Sequence, residues 1–169
     1  TDQEQIARWW TQWPNASIGV ACRLSGFFCI DVDPRHGGDV TLARLLEEHG
    51  PLPPTVETAT GGGGSHFYFR LPQDVQFKGS LGQGLDIKVN GYVIVPPSGH
   101  PSVGVYRWVH DPFATALAVA PPWLLKLATA SSPRNAIRNG AVEWKELQDA
   151  LRCIPAMDHD IWLQVGMAV

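Results

Sequence analysis

Cysteine is scarce in this chain. Three occur in 169 residues, at positions 22, 29 and 153, and no C-x-x-C pair is present. The odd count and the missing motif argue against a secreted disulfide scaffold and against a structural zinc site. No run of 18 apolar residues exists, so no membrane-spanning helix is expected. No signal peptide is visible. Charge is also sparse. Charged residues make up 17% and the formal net charge is -3, which excludes a highly basic nucleic-acid coat. A local basic cleft remains compatible with that sum. Hydrophobic residues make up 44%, enough for a real core and too many for wholesale disorder. A reduced, cytoplasmic protein is the resulting expectation.

The mass of 18.5 kDa suits one domain with a short appendage. A polar stretch at 129–140 reads as a linker, and the remainder as helices at 142–151 and 157–169. The expected division is therefore a body over residues 1–130 and a linker with helical extension over 131–169. The sequence opens without Met and stops inside the apolar pattern Trp162-Leu163-Gln164-Val165. It reads as a piece of a longer polypeptide.

Ile6, Trp9, Trp10 and Trp13 stand at helical spacing. They predict an amphipathic helix that begins near Thr1 or Asp2, packs its tryptophans into the core and ends at Pro14-Asn15. Strands are expected at 17–22 and 26–32, then a helix over 40–48 with Asp39 as its cap and Gly50 as its stop. A short strand is expected at 55–59, and an alternating one at 65–71. Strands at 84–89 and 92–95 flank Asn90-Gly91, the favoured two-residue hairpin turn, and are expected to pair. A strand at 104–109 and a helix at 123–128 complete the body. Hairpin-like strand pairs with few helices between them point to an α+β fold, with a mixed, mostly antiparallel sheet and flanking helices.

Asp31-Val32-Asp33 is the sharpest chemical feature. It places two carboxylates at the end of an otherwise apolar strand, with i and i+2 on one face. Like charges that close raise each other's pKa unless a cation lies between them, and Mg²⁺ or Mn²⁺ is the natural oxygen-seeking candidate. Asp86 also interrupts an apolar strand. If the strands are neighbours, Asp31, Asp33 and Asp86 could hold two ions. Lys88, on the face of Asp86, could meet a phosphate or pair with a carboxylate. The run Gly61-Gly62-Gly63-Gly64 leads into a strand, so backbone N–H groups at Gly63, Gly64 and Ser65 could hold phosphate beside His66. No Walker A lysine follows the glycines, and no G-x-S-x-G elbow exists. His36, His49, His100, His110 and His159 share no spacing and receive no role.

Three blocks taken together are similar to a known family. They are Phe27-Phe28-Cys29-Ile30-Asp31-Val32-Asp33, then Thr60 through Phe69, then Gly84-Leu85-Asp86-Ile87-Lys88. Their order resembles the bifunctional DNA primase/polymerase domain of the archaeo-eukaryotic primase superfamily, over roughly residues 1–128. The resemblance implies an α/β module joined to one related to an RNA-recognition fold. It implies templated nucleotidyl transfer from dNTPs or NTPs in phage, plasmid or mobile-element replication. Asp31, Asp33 and Asp86 match the metal acids, with two Mg²⁺ or Mn²⁺ ions as cofactors. His66 matches the histidine on the incoming triphosphate, and Lys88 a basic position beside the third acid. DNA template and primer are the implied partners. The tail resembles helical segments that lead toward a helicase, attached or partnered. One departure is Gly64, where the superfamily often has a small hydroxyl residue. The acids alone also suit a metal-dependent nuclease or phosphoesterase, and a non-catalytic single-stranded nucleic-acid-binding module is the further alternative.

Overall fold

The structure is a computed structural model, and it describes residues 2–101 and 104–130. Most of the expected linker, and the helices expected at 142–151 and 157–169, lie outside the described residues.

Helix α1 spans Gln3–Gln12, and the Asp2 side chain caps it by accepting from the amides of Glu4 and Gln5 at 3.0 and 3.2 Å. Strands β1 (Ile18–Ala21) and β2 (Phe27–Val32) follow. A 3-10 turn at Pro34–His36 leads into α2 (Gly38–His49). Next come β3 (Glu57–Ala59), β4 (Ser65–Arg70), β5 (Ser80–Gly82) and β6 (Leu85–Lys88). Strands β7 (Tyr92–Val95) and β8 (Arg107–His110) precede α3 (Pro122–Ala128).

Six strands form one sheet in the order β5-β6-β2-β4-β3-β8, and β1 pairs with β7 in a second, two-stranded sheet. Every one of these strand pairs is antiparallel. The fold is thus α+β around an antiparallel core, as the strand pattern implied.

Strand β2 is central, and its alternation builds two cores. Phe28, Ile30 and Val32 face Leu45 of α2 and Leu124 and Ala128 of α3. Phe28 lies 5.6 Å from Phe69 and 4.7 Å from Phe77, ring centre to ring centre. Phe27 and Cys29 face the other way, against Tyr68, Val93 and Val95. Each fully buried aromatic or aliphatic side chain contributes about 1.5–3 kcal/mol. Asp31 continues the Phe27–Cys29 face just beyond the second apolar cluster, so the strand's own alternation delivers it to a polar end of the sheet.

Three expectations need correction. The tryptophan stripe of α1 is not core: none of that helix is buried, and Trp10 is exposed. The faces of β2 are already covered, one by α2 and α3 and the other by β1 and β7, and neither core includes a residue of α1. Asp39 does not cap α2. Gly37 does, at φ 79°, while Asp39 lies in the first turn. The cause is close packing behind it: a Cβ on Gly38 would overlap the Gly84 carbonyl, and the Gly38 amide already donates to the Asp33 carbonyl at 2.9 Å. Finally, β6 and β7 do not pair. Strand β6 joins β2, and β7 crosses to β1. The intervening segment is held by β1's continuation. Cys22 N–H donates to Gly91 O at 3.0 Å, Arg23 N–H to Val89 O at 3.1 Å, and Arg23 Nε to the Asn90 side chain at 2.9 Å. Non-local pairing overrides the local turn preference.

That last correction is testable. Gly91 does not have positive φ, and an added Cβ there meets nothing within 4 Å. Gly91→Ala should therefore change stability by no more than about 0.5 kcal/mol in urea unfolding. A type I′ turn, which needs positive φ at that glycine, would make the substitution markedly destabilising.

Candidate active site

The site begins with strand register. Asp31 of β2 stands directly opposite His66 of β4 on one side and Asp86 of β6 on the other. Directly opposed residues in antiparallel strands have Cβ atoms about 4.5–5.5 Å apart, so the three side chains form a row across three strands. His66 Nε2 lies 3.4 Å from Asp31 Oδ1. Lys88 is two residues from Asp86 on the same face. Its Nζ lies 2.9 Å from Asp86 Oδ2 and 3.6 Å from Asp31 Oδ2.

His66 is buried, and its ring is set from behind. Its Nδ1 is 3.4 Å from the Tyr68 hydroxyl, which is 3.0 Å from Thr58 Oγ1. The Tyr106 ring closes the side of His66, with ring centres 5.9 Å apart.

Asp33 follows the end of β2 and caps the 3-10 turn. Its carboxylate accepts from Arg35 three times, from the backbone amide, Nε and Nη2, each at 3.0 Å. His36 Nδ1 lies 2.8 Å from Asp33 Oδ2. The Asp33 amide donates to Gly84 O at 2.8 Å, which ties this turn to the entry of β6. The bidentate guanidinium, with His36, holds the Asp33 carboxyl well below the usual carboxylate range. At Asp31, burial works to raise the pKa. The hydrogen bond and charge of His66, joined by Lys88, outweigh it and leave the value lowered. Burial works to lower the pKa of Lys88, and the Asp86 and Asp31 carboxylates raise it instead.

Two cavities meet at Asp31 and Asp33. One, of about 110 Å³, lies between Arg35, Thr60, Gly62, Gly64, His66 and Tyr106. That volume suits a phosphate group and is too small to enclose a whole nucleotide. The other, of about 400 Å³, lies between His36, Gly84, Asp86 and Lys88.

The glycine run is the loop of the β3–β4 hairpin. Gly63 N–H donates to Thr60 O at 3.0 Å and Gly64 N–H to Thr60 Oγ1 at 2.9 Å, so both amides are committed inside the turn. Gly62 and Gly64 line the smaller cavity, whereas Gly63 and Ser65 do not. Position 64 has no room for a side chain, because a Cβ would overlap the Val32 carbonyl oxygen. The hydroxyl at this corner comes from Thr60 instead.

The structure therefore brings Asp31, Asp86, His66 and Lys88 together and places Asp33 beside them. Sequence reasoning missed Arg35, His36, His100 and Tyr106, all of which line one of the cavities. Two basic residues just beyond the D-x-D, with only Pro34 between, were a readable signal for Arg35 and His36. His100 had none, and Tyr106 only its place on the strand expected at 104–109, since both arrive through a distant part of the chain. Two other unassigned histidines lie elsewhere: His49 stacks on Trp123 and His110 sits by Glu57, while His159 is outside the described residues.

The comparison with protein families now has its geometry. Residues 1–123 match the family model described as bifunctional DNA primase/polymerase, N-terminal. The chain belongs to this Prim-Pol family. None of the curated proteins compared with it matches. Membership in the Prim-Pol family supports a nucleotidyl-transfer-related activity in a replication context, and the family is generally metal-dependent.

The donor set of this Prim-Pol domain suits a hard divalent cation, since three carboxylates supply oxygen ligands. Among the described residues, however, no group of three His, Cys, Asp or Glu is already arranged to hold one. Protein side chains occupy the carboxylates: Lys88 on Asp31 and Asp86, the Arg35 guanidinium and the His36 ring on Asp33. Those carboxylates must turn from their present partners before an ion can share them.

Two predictions follow from the site's packing and charge. Gly64→Ala should destabilise the domain by about 1–3 kcal/mol in chemical unfolding, because the new methyl group is forced against β2. The second concerns pH. Asp31 and Asp33 have folded-state pKa values below the unfolded value of about 3.9, so their stabilisation is complete above that pH. It is lost as pH falls through and below that value. Asp33→Asn should flatten the fall of Tm between about pH 5 and pH 3 relative to the parent chain.

Proposed function

We propose that this chain carries out metal-dependent, template-directed nucleotidyl transfer, as a DNA primase/polymerase that acts on a primed or unprimed template in phage, plasmid or mobile-element replication. The observation that carries this reading is the row Asp86–Asp31–His66 across three hydrogen-bonded strands, with a cavity on either side of Asp31 and Asp33. A nuclease could use the same acids. A buried histidine beside a phosphate-sized, glycine-edged cavity favours an incoming triphosphate over a nucleic-acid backbone alone.

In this scheme Asp31, Asp33 and Asp86 hold Mg²⁺ or Mn²⁺, two ions in all. When bound, those ions supply acidification of the primer 3′-hydroxyl and balance the charge on the departing pyrophosphate. The 3′-oxygen forms the new bond to the α-phosphorus, the bond to pyrophosphate breaks, and the hydroxyl proton passes to water. His66, backed at Nδ1 by Tyr68, turns its Nε2 from Asp31 to donate to a triphosphate oxygen. Gly62 and Gly64 let phosphate approach the backbone closely, with Gly63 and Ser65 shaping the turn behind them. Lys88 offsets charge that builds on the phosphates. Template and primer DNA are the partners, and the segment beyond residue 130 would connect to an attached or partner helicase.

Primer extension with Mn²⁺ and dNTPs, followed by pyrophosphate release, tests the reading. Asp31→Asn, Asp86→Asn and His66→Ala should each lower the extension rate by on the order of 10²–10³-fold. Equal extension by parent and variants would overturn it. Shortening of DNA without added nucleotide would favour the nuclease instead.

A further inference from the structure

Asp33 is held differently from the other two acids. Like Asp31 it borders both cavities, but its own two partners divide between them: Arg35 lines the small, glycine-edged cavity, and His36 lines the larger one with Asp86 and Lys88. Arg35 uses both Nε and Nη2 on the Asp33 carboxylate, each at 3.0 Å. A carboxylate whose two oxygens already accept from a guanidinium, and whose charge that cation offsets, is a weaker ligand for a metal ion. The Arg35 side chain is nonetheless 60% exposed, so no packing pins it to that pose. Its guanidinium also lies beside the glycine loop at the edge of the small cavity, where a Cβ on Gly62 would come to 3.8 Å from Arg35 Cζ. The same planar fork that grips a carboxylate grips a phosphate with equal geometry.

We propose that Arg35 exchanges Asp33 for the phosphates of the incoming nucleotide, so that nucleotide binding frees Asp33 for the metal ion. The proposal rests on the nucleotidyl-transfer reading of the site and adds a coupling device to it. With no nucleotide, Arg35 occupies the metal-facing acid and keeps metal affinity low. With nucleotide in the small cavity, the guanidinium has a better-charged partner, and Asp33 is released into the larger cavity. Linkage makes this reciprocal: metal at Asp33 displaces Arg35 toward the phosphates and strengthens nucleotide binding. The device accounts for the hold on Asp33, while Lys88 holds Asp31 and Asp86. It gives Arg35 opposite effects on the two ligands, which a purely structural ion pair would not.

The test uses the whole chain and two titrations: Mn²⁺ binding followed by electron paramagnetic resonance, with and without dATP, and dATP binding in the presence of Mn²⁺ by calorimetry. Arg35→Ala should bind Mn²⁺ without nucleotide roughly 5-fold or more tightly than the parent chain, and bind dATP roughly 10-fold more weakly. The gain in Mn²⁺ affinity that dATP gives the parent should shrink in the variant. Arg35→Gln, which keeps a polar but shorter, uncharged side chain and the backbone amide to Asp33, should behave in the same direction. Unchanged or weaker nucleotide-free Mn²⁺ binding by both variants overturns the exchange, as does unchanged dATP affinity. If the parent chain itself binds neither Mn²⁺ nor dATP, the nucleotidyl-transfer reading falls together with the inference. If the parent binds both and the variants match it, the inference alone falls.

Discussion

Strand β2 hydrogen-bonds to β4 on one side and to β6 on the other, and its register with both decides where the chemistry lies. Asp31 is opposite His66 and Asp86 because Ile30 is opposite Phe67 and Ile87. A slip of one residue in either pairing would turn Phe67 or Ile87 onto the polar face and send His66 or Asp86 into the helix-covered core. The apolar faces of three strands thus set the position of three polar groups. Core packing and site geometry are two consequences of the same alternation.

Around that row, charge is balanced locally. Three carboxylates at one end of a sheet would repel one another, and each has a protein cation close by. Lys88 serves two acids at once, and Arg35 with His36 serves the third. The arrangement leaves no buried side-chain polar atom without a partner among the described residues. It also means that a metal ion enters by replacing an existing cation. Affinity for metal and affinity for phosphate are then linked through the side chains that must move.

Much of the site was readable from the chain. Asp31-Val32-Asp33 at the end of an apolar strand, Asp86 within another, and His66 after a glycine run each broke a local pattern in a way that packing alone does not explain. Alternation correctly grouped His66 with Tyr68 and Asp86 with Lys88. Where reading failed, a longer-range force had prevailed over a local preference. Asn90-Gly91 has the composition of a hairpin turn, but β2 and β1 offered better partners to the strands on either side. Asp39 is a good cap, but the backbone crossing of Gly38 against Gly84 required glycine at the helix entry. The tryptophans of α1 matched a core stripe, but both faces of the sheet were filled by other elements.

By itself, the amino-acid sequence determined most of the strands, the edge strand β5 excepted, which way their side chains alternate, and which few positions carry acids and a histidine that a core would reject. Those are local properties, set by backbone periodicity and by the cost of burying charge. Which strands become neighbours was decided only in three dimensions, and with it the meeting of Asp31 with Asp86, the grip of Arg35 on Asp33, and the arrival of Tyr106 beside His66. These contacts join residues that are far apart in the chain or depend on a turn's exact course. Their free energy comes from the packing of whole faces, which no short window of sequence contains.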